Sequence, residues 1–487
     1  MTQPLPSPKI QPFERLQVQD GLLMNADRWR RAHEYHRQRQ NVHYQSLNQP
    51  GIVCNLGVRL ISAPAEISTQ YRDGRWVQIQ PGMAIDLLGN IIVVPEPIDY
   101  RITTDPMTQE PVMVYLVVTY VDPEKLRSRE QREFIKETFR IDEKTNPPGE
   151  LEVELCRILL QPDVEKQGYA PIQLENPTDV FFPQKNALDL RYRTQARSRP
   201  QAVVRIAQIN PLPSSDLKTL SNLSYLLQSV AALYPALEGA DEVGQMTLQL
   251  EDKGEKTKLS DYDLLFLTYQ RSRLLKKPQW EALQNYIQAG GVLLIEVPTE
   301  GTNIKDLTGV EQELKKAIAN LENNANGEES ELSAMRPGLE AELNVVQTDL
   351  EQEIDNLSLA FKGFAQKSGT PLELLDRLPR SHPLRTQPFL FAALPTINEQ
   401  PIQLLVGGGI IVIIGNLSIA WGLDETLSLS RETIRTAQEM GINILHFAWR
   451  RRQLMQAMQA ETKVTSSPPP TRKEQPRALK NVFDQLE

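Results

Sequence analysis

Residues 261–297 read DYDLLFLTYQRSRLLKKPQWEALQNYIQAGGVLLIEV, and this stretch decides the architecture of more than half the chain. Leu264–Thr268 is a run without an alternating polar face, so a strand there is covered on both sides. PQWEALQNYIQ places its apolar residues at helical spacing, Gly290-Gly291 stops the helix, and VLLIEV is a second two-sided strand. Strand, helix and strand of this kind build a parallel sheet with helices on both faces. Outward from this unit the rhythm repeats. Upstream, AVVRIAQI (202–209) reads as a strand, LKTLSNLSYLLQSVAALYP (217–235) as a helix and MTLQLE (246–251) as a strand. Downstream, LLVGGGIIVIIG (404–415) reads as a strand or strand pair, Ser430–Met440 as a helix and INILHFAW (442–449) as a closing strand. Between the two halves, residues 303–363 are acidic and helical. Leu314, Ile318 and Leu321, then Leu343, Val346, Leu350, Ile354 and Leu357, recur at three- and four-residue steps. With turn chemistry at Asn323–Gly327 and Pro337-Gly338, this predicts a helical hairpin inserted into the α/β domain.

The amino-terminal part follows a different grammar. Asn25–Gln49 is a helix candidate, with Asn25 or Asp27 as cap and Pro50-Gly51 as stop. Beyond it come GIVCNLGVRLI, RWVQIQPGMAIDLLGNIIVVPEPIDYRI, VMVYLVVTYVD and ELEVELCRILL. These short β-branched runs, punctuated by Pro-Gly, Gly-Asn and Pro-Pro-Gly, predict a meander of about seven strands in a β-sandwich-like unit. The expected organisation is an α+β and α/β multidomain chain: an extended start (1–12), a helix plus β-rich domain (13–165) and a basic linker (166–200). A flavodoxin-like parallel-sheet domain follows in two halves (201–302 and 371–460), interrupted by the hairpin (303–370) and ended by a Pro/Ser-rich tail (461–487).

Composition narrows the function. Fifty-three basic and 62 acidic residues give a net charge of −9, so nucleic acid is not an expected partner. Hydrophobic residues at 40% and a mean hydropathy of −0.39 describe a soluble globular chain. MTQPLPSPKIQPFERL carries no secretory signal pattern, and the longest apolar run, Leu404–Ile414, is about half a membrane span. A cytoplasmic protein is expected. Cys54 and Cys156 sit among apolar residues and read as buried free thiols, while one disulfide between them stays open.

Catalytic and cofactor patterns are missing. The chain holds no GxSxG elbow, no GxxxxGK[ST] loop, no CxxC and no HExxH, and the loop NPLPSSD after the first α/β strand has no glycine to approach a phosphate. His36 and His43 share a helix face at a spacing a metal could use, but a polar helix face is the plainer reading, and no metal or cofactor is expected. Asp261/Asp263 and Asp376/Arg377/His382 are the polar groups near predicted sheet ends.

Two resemblances add to this. RLQVQDGLLMNADRWRRAHEYHRQRQNVHYQSLNQPGIVCNLGVRL (15–60) resembles a recurrent pattern in baseplate-associated proteins of contractile, phage-tail-like injection systems. The resemblance lies in Arg15, Leu16, Asp20, Gly21, Leu22, Leu23, Asp27, Trp29, Tyr35, His36 and Arg37, then Gly51–Cys54, Leu56 and Val58. PGMAIDLLGNIIVVPEP, with Pro81, Gly82, Ala84–Asp86, Gly89 and Val94, matches the way the family continues. The chain departs from it at Asn48-Gln49-Pro50, where the family often has an aromatic-Gly pair. The resemblance implies a non-catalytic crown- or cap-like subunit. Arg15, Asp20, Gly21, Asp27, Trp29, Tyr35, His36 and Arg37 would be its docking residues. Its partners would be other baseplate subunits and copies of itself around a six-fold axis. Such particles are anchored to thylakoids in cyanobacteria, so a peripheral membrane contact through Arg450–Arg452 and the basic tail is a further expectation. Secondly, Asp261–Thr268, Gly290–Glu296, Ile410–Ile414, Asn416, Ser418, Trp421-Gly422 and Gly441–Trp449 resemble an uncharacterised bacterial family with a glutamine-amidotransferase-like sheet. No cysteine stands at a strand-to-helix elbow here, so the fold is expected without the activity; an amidotransferase-like or ligand-binding enzyme is the alternative.

Overall fold

The computed structural model describes residues 12–106, 110–122, 136–161, 172–210, 217–248, 258–324, 332–397, 400–422 and 428–465. They form two compact units divided at Arg199-Pro200. The chain is a mixed α+β multidomain protein containing a seven-stranded mixed sheet.

The first unit opens with α1 (Ala26–Leu47). Next come β1 (Asn48–Gln49), β2 (Gly51–Asn55), β3 (Val58–Leu60), β4 (Trp76–Ile79), β5 (Gly82–Ile85) and β6 (Ile91–Val94). It finishes with β7 (Ile98–Arg101), β8 (Val112–Val121), β9 (Thr138–Lys144), β10 (Glu152–Leu160) and β11 (Arg197–Ser198). Three antiparallel three-stranded sheets, ordered β2-β5-β6, β3-β4-β7 and β10-β8-β9, enclose one core that includes Ile52, Leu56, Val77, Ile79, Leu116, Leu155 and Ile158. The strands exceed the expected seven because the apolar runs bend within themselves. GIVCNLGVRLI breaks where Asn55 and Leu56 take φ of 55° and 54°, a left-handed kink that drives Leu56 fully into the core. Facing that kink, Gly82 lies so close to the Cys54 carbonyl oxygen and the Leu56 amide that no Cβ fits.

The expected linker 166–200 is corrected over its described part. Residues 172–199 are sewn onto the first unit by main-chain bonds. Asp189 and Arg157 exchange two at 2.9 Å, and the Ile52 and Ala196 amides donate to the Thr194 and Ile52 carbonyls at 2.8 Å. β11 pairs with β1. Single bridges of this kind create no two-residue alternation, which is why the segment reads as irregular.

The second unit begins with β12 (Ala202–Val204), β13 (Ile206–Ile209), α2 (Leu217–Leu233), β14 (Leu237–Gly239), β15 (Gly244–Met246) and β16 (Leu264–Thr268). After these come α3 (Tyr269–Ser272), α4 (Lys277–Gln288), β17 (Val292–Val297), α5 (Ile304–Asn324) and α6 (Leu332–Lys367). β18 (Glu373–Leu374), α7 (Pro383–Thr386), β19 (Thr396–Ile397), β20 (Gln400–Pro401), β21 (Gln403–Gly407), β22 (Ile410–Ile414) and α8 (Arg431–Thr465) complete it. The large sheet is ordered β15-β13-β16-β17-β22-β21-β18. Its first five strands are parallel, and in chain order they run 2-1-3-4-5, the flavodoxin-like arrangement. LLVGGGIIVIIG is the antiparallel pair β21–β22, turning at Gly408 with φ 57°, so one sheet edge is antiparallel. One sheet face packs on α2 and α8, the other on α4 and α6.

Two expectations fail here. INILHFAW is no strand but part of α8, which continues without break from Arg431 to Thr465. Residues 440–446 are buried on every side, Asn443 and His446 included, so no solvent-facing stripe gives a period to separate helix from strand. Asn443, wholly buried, is satisfied because its amide donates to the Leu384 and Phe389 carbonyls and accepts from the Phe389 amide. Pro337-Gly338 lie inside α6 rather than between helices. The helical hairpin itself is present as α5 and α6. Ile304 and Leu307 of α5 and Leu350, Ile354, Phe361 and Ala365 of α6 join the sheet core, whereas no residue from 335 to 349 is buried. At 1.5 Å per residue α6 is about 54 Å long, and its first half packs chiefly on α5.

Candidate functional site

The lead-in to α1 turns at Gly21, with φ 81° and the Leu22 amide donating to the Gln19 carbonyl at 3.0 Å. Asn25 caps the helix by accepting from the Arg28 amide at 2.9 Å, and Asp27 sits in the first turn, where a carboxylate favours the helix dipole. No residue of α1 is buried. Its packing comes from its second half: Arg37 pairs with Asp122 at 3.5 Å, and the Asn41 amide donates to Asn90 at 2.7 Å. Gly89 permits the latter contact by lying directly against the Asn41 carbonyl.

The eight expected docking residues therefore divide. Arg15, Asp20, Gly21, Asp27, Trp29 and His36 are exposed, while Tyr35 and Arg37 are half-buried. Trp29 is 59% exposed and stands edge-on to His33, with ring centroids 5.2 Å apart. Tyr35 meets Phe13 and His36 edge-on and accepts a 3.1 Å bond from Arg39. Phe13, Val18, Leu23 and Met24 add exposed apolar surface before the helix. Among the described residues, no group of three metal-ligating side chains occurs.

The second place to look is the carboxyl edge of the parallel strands. There the 3₁₀ turn Leu417–Trp421 folds over the sheet. Glu296, at the end of β17, accepts from the Ser418 amide at 2.7 Å and its hydroxyl at 2.6 Å. Burial pushes this carboxyl up to about 7; neighbouring Glu300 adds to the rise and the Ser418 bonds oppose it. Trp421 fills the face beside it, edge-on to Phe266 and donating to the Ala437 carbonyl at 2.9 Å. Gly422 lies against the Asn222 side chain. Two buried amides nearby are incompletely satisfied. Gln208 has no side-chain hydrogen-bond partner among the described residues, and Asn210 lacks one at Oδ1. Among the described residues no cysteine or histidine stands beside them, and the Ser418 hydroxyl is held by the Glu296 carboxyl.

The other polar groups have structural tasks. Asp263 accepts from Arg452 at 3.0 Å and from the Arg205 amide at 2.9 Å; burial raises its carboxyl and Arg452 opposes the rise. Asp261 accepts from the Lys258 amide, Asp376 pairs with Arg385, Arg377 pairs with Glu351, and His382 caps α7. Arg450–Arg452, expected as a membrane-facing cluster, all donate within the second unit; Arg451 and Arg452 are half-buried and Arg450 is exposed. Arg450 donates to Gln387, Arg451 to the Ile287 and Gly291 carbonyls, and Arg452 to Asp263 and the Ser260 carbonyl. Both cysteines are free, with Cys156 buried and Cys54 half-buried. Among the described residues, no helix is long and apolar enough to cross a membrane.

One surface feature was not foreseen. Val180, Phe181 and Phe182 are 62%, 71% and 78% exposed on an ordered turn. Asp179 accepts from the Phe181 amide at 2.8 Å, and Arg191 donates to the Phe181 carbonyl at 2.7 Å. The sequence signal is an apolar triplet, VFF, set in polar surroundings and followed by Pro183.

No protein-family model matches the chain, and no curated protein matches it. Among solved structures, a crystal structure of TssK is similar at 9% identity and a TM-score of 0.21. The alignment covers 80% of this chain and 66% of that one, so this chain spans slightly less than two thirds of the TssK chain. A likeness of that size identifies neither fold nor function.

Proposed function

We propose that this chain is a non-catalytic structural subunit of a contractile, phage-tail-like injection particle. It seats on the baseplate through the lead-in and outer face of α1. The observation that carries the reading is a 22-residue helix with no buried residue and a tryptophan 59% exposed. An aromatic of that size left in water is the commonest anchor of a protein interface. The sequence pattern over residues 15–94 supplies the kind of particle, and the seating of the Leu417–Trp421 turn on Glu296 at the carboxyl edge of β17 supports a scaffold over a catalyst. Within the particle the subunit forms an outer ring or cap, in several copies around a six-fold axis. It is a cytoplasmic component, and any attachment of the particle to an internal membrane such as a thylakoid runs through neighbouring subunits or through the basic residues at Arg450–Arg452 and the tail.

The test is to purify particles from lysed cells and quantify this chain by mass spectrometry. It should co-purify at fixed stoichiometry with sheath and tube. Replacing Trp29, Tyr35 and His36 together by Ala should release it, since truncating a central interface aromatic costs about 2 kcal/mol or roughly 30-fold in affinity. Normal stoichiometry in the triple variant would refute docking through α1. The unpaired Gln208 and Asn210 amides favour a second reading, a small polar ligand at the sheet edge. A thermal shift with an amide- or carboxylate-bearing metabolite set, lost in Gln208→Leu, would bring that reading forward.

A further inference from the structure

The hairpin of α5 and α6 uses only its base for packing on the sheet. From residue 303 to 367 it holds 13 acidic and six basic residues, and residues 340–355 hold six carboxylates with no Lys or Arg. The face of α6 turned away from the sheet carries Glu342, Val345, Asp349, Gln352, Asn356 and Leu359, spaced by three and three or four residues and all exposed. Val345 and Leu359 are 60% and 68% exposed, so this face is not simply a solvated polar one. The outer face of α1 is its counterpart. Trp29, His33, His36, Gln40, His43 and Leu47 follow at the same three- and four-residue steps, all exposed, flanked by Arg30 and Arg39. α1 contains five arginines against two carboxylates. Each face thus has large apolar residues set among polar ones, and the two differ in the sign of their charge.

We propose that the acidic outer face of α6 in one copy seats on the basic, aromatic outer face of α1 in a second copy. This deepens the docking reading above and rests on its premise that the outer face of α1 is an interface: it names a second copy within the particle, rather than a different baseplate subunit, as what covers Trp29. The repeat of about 3.5 residues on both helices suits side-by-side helix packing, in which side chains three and four apart form the seam. Opposite charge on the rims fixes which helix meets which. The contact is heterologous: every copy has one arm to give and one α1 to receive it. Such contacts propagate head to tail and close into a ring when the rotation between copies permits.

The experiment uses the full-length chain in analytical ultracentrifugation. Wild type should associate with rising concentration, and the association should weaken at least about tenfold between roughly 50 mM and 500 mM salt as exposed charges are screened. Glu342→Lys with Asp349→Lys reverses the arm, and Arg30→Glu with Arg39→Glu reverses α1. All four residues lie on exposed or half-exposed helix surface, and unchanged circular dichroism and urea midpoints establish that the variants fold. Each double variant alone should sediment as a monomer, and an equimolar mixture of the two should associate again. Wild type remaining monomeric at about 100 µM in low salt would overturn the proposal, as would reversal variants that associate like wild type. A mixture that stays monomeric would overturn it as well. The docking reading fails differently. If wild type never self-associates but the Trp29, Tyr35 and His36 changes still release it from particles, the arm contact is wrong and α1 docking stands. If copies pair as proposed but the triple variant stays in particles, the arm contact stands and baseplate docking through α1 is wrong.

Discussion

Replacing Glu296 by Gln should make the second unit more stable, and increasingly so as pH rises. The carboxyl is wholly enclosed at the end of β17, and its proton is held up to about 7 against an ordinary value of 4.5. The folded chain therefore binds this proton more tightly than the unfolded chain does. Below about pH 4.5 both states are protonated and the residue is neutral in its effect; as pH rises towards and through 7, ionisation increasingly favours unfolding. At 1.36 kcal/mol per pH unit the full penalty is about 3 kcal/mol. Glutamine keeps the shape and an oxygen to accept from the Ser418 amide at 2.7 Å, while its NH₂ can donate to the Ser418 hydroxyl. Urea unfolding of both proteins between about pH 5 and pH 8, followed by tryptophan fluorescence, gives a difference in which every other titrating group cancels. The advantage of Glu296→Gln should grow by roughly 2–3 kcal/mol across that range. A difference that stays flat within about 0.5 kcal/mol would refute the argument, because Glu296 would then titrate alike folded and unfolded.

Glycines in the helices should split by surroundings. Gly441→Ala pushes a methyl to within 2.6 Å of Leu226 and 2.9 Å of Trp421 and should cost about 1–2 kcal/mol despite better helix propensity, whereas Gly363→Ala meets nothing within 4 Å and should gain up to about 1 kcal/mol, both read from urea midpoints. Arg451→Met removes a guanidinium that donates at 3.0 and 2.8 Å to the Ile287 and Gly291 carbonyls, and should lower stability by about 3 kcal/mol, read from denaturant titration. Burial pushes the Cys156 thiol up to about 12, so iodoacetamide at pH 8 should modify Cys54 in the native protein and reach Cys156 only after unfolding, as peptide mass spectrometry would register.

How far the sequence discloses this protein depends on what each segment buries. The parallel sheet was legible because Leu264–Thr268 and Val292–Val297 are apolar on both sides, and the hairpin because Leu350, Ile354 and Leu357 keep a helical step through acidic surroundings. α1 was legible at its start, where Asn25 rather than Asp27 is the cap, and to within two residues at its end, since Asn48–Gln49 leave the helix to pair as β1. Residues 442–449 misled for a physical reason: a helix enclosed between a sheet and its neighbours has no polar face to betray its period. The segment 172–199 misled because its order comes from isolated bridges and side-chain turns at Asp179, Asn186 and Asp189. Of the candidate docking surface, the helix and its aromatic residues could be read off. Which of them face solvent could not, since exposure of Trp29 and partial burial of Tyr35 and Arg37 depend on contacts with Phe13 and Asp122, distant in the chain. Arg450–Arg452 show the same limit. Two of the three bond inward, Arg451 to the α4–β17 turn and Arg452 to Asp263 just before β16, while Arg450 stays exposed, a division the sequence does not show.

The hairpin leaves the sheet after its fourth parallel strand and rejoins it before the fifth, so its length is decoupled from the fold that carries it. Inserting one heptad into each helix ahead of Leu350 would move the tip outward by about 10 Å at 1.5 Å per residue while every strand kept its register. The reach of the hairpin can thus change by whole turns of two helices, with the sheet beneath them untouched.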